Sequence, residues 1–401
     1  MKKLIKAVKY GVFPLCLLCL FGGCKEPDTV APRIEEQPPP APKISTLTIV
    51  AAGDNLIHDI IYLAQRLPGA EESYNFDSCY EHIKPLIERA DLAFVNQETI
   101  MGGKALGHSG YPVFNTPQEN GDALVKAGFD VINQASNHSL DKGEAAVFNT
   151  MDYWDKRRDV SYLGLFRTAE DRANRKTIVE KNGIKVGFLS YTYGLNGFSL
   201  PKDKPWLVPL IDTAVMAGEI DALRPLCDLL VVSMHWGNEF SHEISLRQKE
   251  LALFMAEHRV DLILGHHPHV TGPMHVIFRP DGGRLVCYYS LGDFISHTQS
   301  DRTPDTMLGA LAYVRVKKTS TAPSAGESGK STTTIEEARA IPTVSHYGKG
   351  RRPPFTVYPL YDYSDELAAL HYKNTTLDYL KGVSLKIFSI YMLNENPFKK
   401  P

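Results

Sequence analysis

Apolar runs of strand length alternate with stretches of helical period along most of this chain. DLAFVNQE (91–98), DVINQASNH (130–138), LLVVSMHWG (229–237) and DLILGHHPHV (261–270) are the apolar runs, and LTIVAAGD (47–54) opens the series. Amphipathic stretches over 80–90, 117–127, 143–156, 212–226 and 245–257 lie between them. Such alternation predicts an α/β protein with parallel or mixed pairing, because parallel strands need long crossovers that helices usually supply. Two hairpins are expected as well. One turns at Asn182-Gly183 inside TIVEKNGIKVGFLSY, the other at Asp281-Gly282-Gly283 between MHVIF and RLVCYYS. A chain of 401 residues, 43% of them hydrophobic, can bury one large core or two ordinary ones.

The ends of these runs carry the chemistry. The first ends in Asp54, the second in Asn96 and Glu98, and the third in Asn137 and His138. The fourth ends in His235, and the last in His266, His267 and His269. In open α/β sheets ligands gather at the carboxyl ends of strands, so these side chains are expected at one edge. Carboxylate oxygen, amide oxygen and imidazole nitrogen together suit a divalent transition metal such as Mn, Fe or Zn. Any one of these residues alone is more often a packing or capping residue; their recurrence at successive strand ends is the signal. Side-chain alternation along an extended segment puts His267 and His269 on one side and His266 on the other. His82, His242, His258, His275, His346 and His371 have no such partners and read as structural or exposed.

GD at 53–54, NQE at 96–98, SNHSLDKG at 136–143, HWG at 235–237, GHHPHV at 265–270 and SLGDF at 290–294 resemble, in that order, the motifs of the bacterial capsule-synthesis CapA family. That family is associated with poly-γ-glutamate capsule production, and its domain is related to the calcineurin-like metallophosphoesterases. The resemblance covers about 47–296. It implies an α/β sandwich of two mixed β-sheets flanked by helices (α/β/β/α), with a metal-binding edge. Residue by residue, it makes Asp54, Asn137, His235, His267 and His269 metal ligands and places Glu98 where a carboxylate bridges two ions. His138 matches the imidazole that stabilises or protonates a leaving group, and Asp293 is a candidate for orienting a ligand or water. His58, Asn96 and His266 are candidates to support the ligands from behind. The chain departs from the phosphoesterase pattern twice. Leu56 stands where a histidine ligand is expected, with His58 able to substitute only if the loop bends back, and NQE replaces the usual acidic motif. One or two ions therefore remain open.

The N-terminus reads as a secretion signal. Lys2, Lys3, Lys6 and Lys9 precede VFPLCLLCLFGG, which is too short to span as a mature helix. Gly22-Gly23-Cys24 resembles a lipoprotein processing site, with Cys24 the lipidated residue; an uncleaved anchor is the alternative. The expected organisation is a signal over 1–24, a proline-rich tether over 25–45, the domain over 46–345 and a C-terminal extension over 346–401. A Ser/Thr/Gly-rich disordered loop is expected near 318–334. Cys79, Cys227 and Cys287 lack CxxC spacing and read as buried thiols. A net charge of −2 argues against nucleic acid as the main partner. The expected partners are an anionic polymer such as poly-γ-glutamate, the membrane through the lipid, and other capsule-synthesis membrane proteins, with Lys349–Arg352 either a solvated loop or a polymer contact. Two functions follow. One is an envelope metallohydrolase acting on a phosphoester or polyglutamyl bond; the other is a non-catalytic component that binds or anchors the polymer during export.

Overall fold

Inner and outer faces of two sheets sort the apolar residues of this protein into layers. The computed structural model describes residues 41–69, 72–298, 303–321, 329–350 and 354–399. The expected signal, Cys24 and nearly all of the tether lie outside the described residues. The first sheet has the order β14-β13-β12-β1-β2-β3-β4, with β11 also pairing β1. Its strands are β1 (Lys43–Asn55), β2 (Leu92–Gln97), β3 (Val131–Asn133), β4 (Ser161–Leu163), β11 (Asp293–Ile295), β12 (Leu308–Ser320), β13 (Ser331–Tyr347) and β14 (Phe355–Pro359). The second has the order β5-β6-β7-β8-β10-β9, from β5 (Thr177–Lys181), β6 (Ile184–Thr192), β7 (Leu229–His235), β8 (Leu262–His266), β9 (Met274–Phe278) and β10 (Arg284–Tyr288). β1 to β4 and β11 run parallel, as do β6, β7, β8 and β10, while β5, β9, β12, β13 and β14 pair antiparallel.

Alternation along each strand builds the sandwich. Leu47, Ile49 and Ala51 of β1 and Leu92 and Phe94 of β2 pack with Leu229, Val231, Leu262 and Leu264 of the second sheet. Their neighbours Val50, Ala52, Ala93 and Val95 face outward against Leu124 and Trp154. On the far side Leu230, Val232 and Ile263 pack against Met216, Ile220 and Met255. These belong to the helices Thr213–Leu223 and Leu246–Glu257, the second opened by Ser245 and Gln248 in a capping box. Helix, sheet, sheet and helix therefore stack in that order, as expected.

Both hairpins form. Lys181 pairs with Ile184 across Asn182 (φ 54°) and Gly183 (φ 77°), the double left-handed turn that matches strand twist. β9 and β10 pair across the second turn. The helix expected over 80–90 is instead two single turns, Asp77–Tyr80 and Lys84–Ile87, because Pro85 lacks an amide hydrogen and restarts the backbone. β12 reaches Ser320 and β13 begins at Ser331, so both ends of the segment expected as a loop pair as strand. β-branched threonines there favour the pleated surface; residues 322–328 lie outside the described residues. The boundary expected at residue 345 falls inside β13, and β14 extends the same sheet. Phe388, in the helix Leu377–Phe388, joins the core between the sheets.

His346 and His371 are buried in this C-terminal region. His346 Nδ1 lies 2.7 Å from Tyr363 Oη, and His371 Nε2 lies 3.2 Å from the Ser345 carbonyl oxygen. Burial lowers both pKa values to about 4. The unfolded chain takes up these protons near pH 6.5, whereas the folded protein refuses them until near pH 4. Falling pH therefore favours unfolding across that window. Urea midpoints should drop between pH 7 and pH 4.5, and His371→Gln should flatten the drop.

Candidate metal centre

Three strands of the first sheet and two of the second bring their carboxyl ends together. Asp54 lies near the end of β1, past a break in register between Ala52 and Asp54. Gly53 occupies the break, and a Cβ there would run into the Gly292 carbonyl oxygen, whose partner is the Asp54 amide at 2.9 Å. β11 lies beside this point, pairing Asp293 with Asp54. The Asp54 carboxylate is fully buried and well supplied. Oδ1 accepts from Asn96 Nδ2 at 2.7 Å and lies 3.3 Å from His266 Nδ1; Oδ2 accepts from the His267 backbone amide at 3.0 Å. Burial alone would raise its pKa, but His266, His269 and the His267 amide outweigh burial and hold it below the usual carboxylate value.

The GHHPH segment departs from simple alternation. β8 ends at His266, and the backbone then enters left-handed geometry at His267 (φ 96°) and His269 (φ 57°). Such conformations are uncommon for non-glycine residues and mark constrained sites. His267 and His269 are thus brought to the site by a turn, not by facing one side of a strand. His266, in step with Leu262 and Leu264, points between the sheets, stacks at 6.0 Å from Phe94 and reaches Asp54 from below. His235 has the same inward parity on β7 as Leu229 and Val231. The alternation expected along 266–269 is corrected at His267 and His269, which the turn places, while His266 touches a site carboxylate from below.

Glu98 is the focus of what remains. It is buried, and neither carboxylate oxygen has a hydrogen-bond donor. Burial, reinforced by the Asp54 charge, pushes its pKa well up. Its Oε1 lies 3.5 Å from His235 Nε2 and 3.8 Å from His269 Nε2. Asn137 Oδ1 lies 2.8 Å from the same His235 nitrogen. His267 adds a buried Nδ1 without a partner, and its ring centroid stands 4.9 Å from that of His235. Glu98, His235 and His267 form one group of atoms within 4.8 Å of one another; Asp54, His269 and Asp293 form a second. Burial, then neighbouring imidazoles, lower the His267 pKa to about 3 and that of His235 well below its ordinary value, so both rings are held in the neutral form that ligates metals. At His269 burial is overcome by Glu98, Asp293 and Asp54, which raise its pKa well above the ordinary value.

Asp293 holds His269 Nδ1 at 2.9 Å and is itself held by Ser296 Oγ and by Thr298 Oγ1, the latter at 2.8 Å. That leaves His269 Nε2 facing Glu98. Carboxylate support of a ligating imidazole has this form in metal sites. His138 is held likewise, with Nδ1 2.7 Å from Asp141 Oδ2 and Phe114 edge-on at 4.6 Å. Asp141, which also accepts from the Phe114 amide at 2.7 Å, went unassigned in the sequence although it lies within SNHSLDKG. Its partner three residues back was the available signal. Asn196 was missed too; its Oδ1 accepts from Asn137 Nδ2 at 2.9 Å. No sequence pattern announces it. His58 does not substitute for the histidine absent at Leu56. Its Nδ1 lies 3.2 Å from the Leu56 carbonyl oxygen and accepts from the His297 amide at 3.2 Å, and burial lowers its pKa to about 3. Among the described residues, no group able to share an ion includes it.

Residues 48–298 match the family model described as bacterial capsule synthesis protein PGA_cap. The chain belongs to that family. Among PGA_cap relatives, the PGA biosynthesis protein CapA of Bacillus subtilis (strain 168) is 26% identical over 283 residues, 70% of this chain and 72% of that protein. The capsule biosynthesis protein CapA of Bacillus anthracis is 28% identical over 272 residues, covering 65% of this chain and 62% of its own length. Solved structures that align include the calcineurin-like phosphoesterase YfkN of Bacillus subtilis, at 15% identity and TM-score 0.36, over 73% of this chain and 91% of that one. The NAD nucleotidase NadN of Haemophilus influenzae aligns at 14% identity and TM-score 0.44, over 88% and 65%. Scores of this size describe partial overlap, and the sandwich is established by its own two sheets.

The PGA_cap edge fits a divalent cation. A buried carboxylate without donors, grouped with the imidazoles of His235 and His267 and near the Asn137 amide oxygen, is a donor set that suits such an ion. His267→Ala and His269→Ala should strip most bound Mn²⁺, whereas His266→Ala, which loses only support for Asp54, should weaken binding by about 10- to 100-fold and retain stoichiometry at saturation. Equilibrium dialysis across a metal titration distinguishes the three.

Proposed function

We propose that this PGA_cap protein is a metal-dependent hydrolase of the cell envelope that cleaves a polyglutamyl amide or a phosphoester during capsule production. The observation that carries this reading is the buried Glu98 carboxylate, without hydrogen-bond donors and facing His235 and His269. Glu98, Asn137, His235, His267 and His269 would hold the ion. Asp54 would join through a remaining lone pair, beside His269 and Asp293. A divalent ion bound there supplies a Lewis acid and lowers the pKa of its water. The chain's own groups do the rest. Asp141 fixes His138 through Nδ1, which leaves Nε2 to deliver a proton to a departing amine or alkoxide. Asp293 keeps His269 turned toward Glu98. An anionic polymer is the substrate class that the family's association with poly-γ-glutamate supports.

A second reading has an observation of its own. Leu56, apolar and buried, stands where a second ion would need a nitrogen ligand, which favours a centre that binds polyglutamate carboxylates without turnover, as part of an export or anchoring assembly. Assays of the full-length protein with Mn²⁺, Fe²⁺ or Zn²⁺ on γ-glutamyl oligomers and on aryl phosphodiesters separate the two. Under the hydrolase reading, His138→Gln lowers kcat by about 10²- to 10⁴-fold with metal content unchanged. Polymer binding without turnover, equal in His138→Gln, would establish the binding reading instead.

We place the protein on the membrane through lipid at Cys24, the reading supported by the apolar run and Gly22-Gly23 before it. Cys24→Ser should abolish labelling by radioactive palmitate and leave an unprocessed precursor on a gel; equal labelling of the variant rules the anchor out.

A further inference from the structure

The loop after β7 carries a carboxylate that neither the strand-end pattern nor the mechanism above uses. It follows His235 in HWGNEF, and Glu239 is exposed while every other acidic member of the ion-competent groups is buried. One Glu239 oxygen, one ring nitrogen of His267 and one of His269 all lie within 4.8 Å of one another.

The loop is fixed at both ends to the turn it faces. The Trp236 amide donates to the His266 carbonyl oxygen at 3.1 Å, and Trp236 Nε1 donates to the Tyr289 carbonyl oxygen at 3.0 Å. Gly237 (φ 91°) turns the chain where a side chain would strike Gln248. The Phe240 amide then donates to the Pro268 carbonyl oxygen at 2.7 Å, between the two histidines concerned. Phe240, itself at φ 61°, sets its ring 5.9 Å from that of His269. Left-handed backbone at Phe240, His267 and His269 is costly for residues with side chains and persists where the surroundings hold it. The loop and the GHHPH turn are thus one braced unit, with Glu239 carried at its solvent side. The independent sign of a ligand is His267 Nδ1, a buried ring nitrogen without a partner.

We infer that Glu239 is a solvent-side metal ligand that exchanges with an anionic oxygen of the incoming substrate, a carboxylate or a phosphate. The inference rests on the metal-centre reading above. Its chemistry follows from position. The other ligands are buried, whereas an exposed carboxylate moves into water at little cost. Glu239 therefore neutralises the ion in the resting protein and yields its place to a substrate anion. It also keeps the loaded centre from holding adventitious anions as firmly as a bare ion would.

Mn²⁺ binding to the full-length protein, read as free Mn²⁺ by electron paramagnetic resonance, tests this with inorganic phosphate as the anion probe. Glu239→Gln should weaken Mn²⁺ binding on the order of tenfold, and phosphate should bind the Mn²⁺-loaded variant at least as tightly as the loaded wild type. Unchanged Mn²⁺ affinity in Glu239→Gln overturns the inference. A loss of both Mn²⁺ and phosphate affinity also overturns it, since phosphate would then not be replacing the carboxylate. Glu98→Gln, checked for folding by circular dichroism, is the control. If it loses Mn²⁺ while Glu239→Gln does not, the inference alone fails; if it keeps Mn²⁺, the metal-centre reading fails with it.

Discussion

A carboxylate buried without donors is the constraint around which this protein is arranged. Transferring an ionised carboxylate out of water is expensive unless it is paired or ligated, and otherwise the group takes a proton. Glu98 shows that strain directly: both oxygens lack donors and its pKa is pushed well up. Asp54, whose charge acts on Glu98, shows the opposite solution, with Asn96, the His267 amide and His266 around it. The two acids thus differ in role, Asp54 organising the turn and Glu98 left without a donor.

That division depends on the two stacked sheets bringing their strand ends to one common edge. Asp54 and Glu98 come from the first sheet, His235 and the GHHPH turn from the second. The contact between them is the pairing of the His267 amide with Asp54 and of His235 with Asn137. Below it, Phe94, Phe188 and His266 fill the space between the sheets, so the site has an apolar floor. Supporting acids at Asp293 and Asp141 each fix one imidazole by Nδ1, a repeated device that leaves the other nitrogen pointing into the edge.

Much of this was legible from local pattern. Strand–helix alternation predicted the class, Asn182-Gly183 predicted its hairpin, and the residues at strand ends are those found at the edge. The failures have physical causes. Pro85 broke a helix that amphipathic period alone had joined. The third run stops pairing at Asn133, so Asn137 and His138 sit in a turn beyond it. His267 and His269 were placed by an alternation carried past the end of β8, into residues whose φ is positive. Positive φ at a histidine leaves no mark in composition.

By itself the sequence determined the periodicities, hence most of the elements and which of their faces are apolar, because side-chain direction along a helix or strand follows from backbone geometry. It also determined which ligand types the chain can offer. Only the tertiary structure decided their roles. Asp141 and Asn196 acquire meaning from what they touch, since hydrogen bonds between residues 59 positions apart, as from Asn137 to Asn196, have no local signature. Glu239 is one exposed acid among many until the loop's bonds to the histidine turn place it beside two imidazoles. His58 likewise takes its place from contacts that spacing does not show, its Nδ1 lying against the Leu56 carbonyl oxygen and the His297 amide.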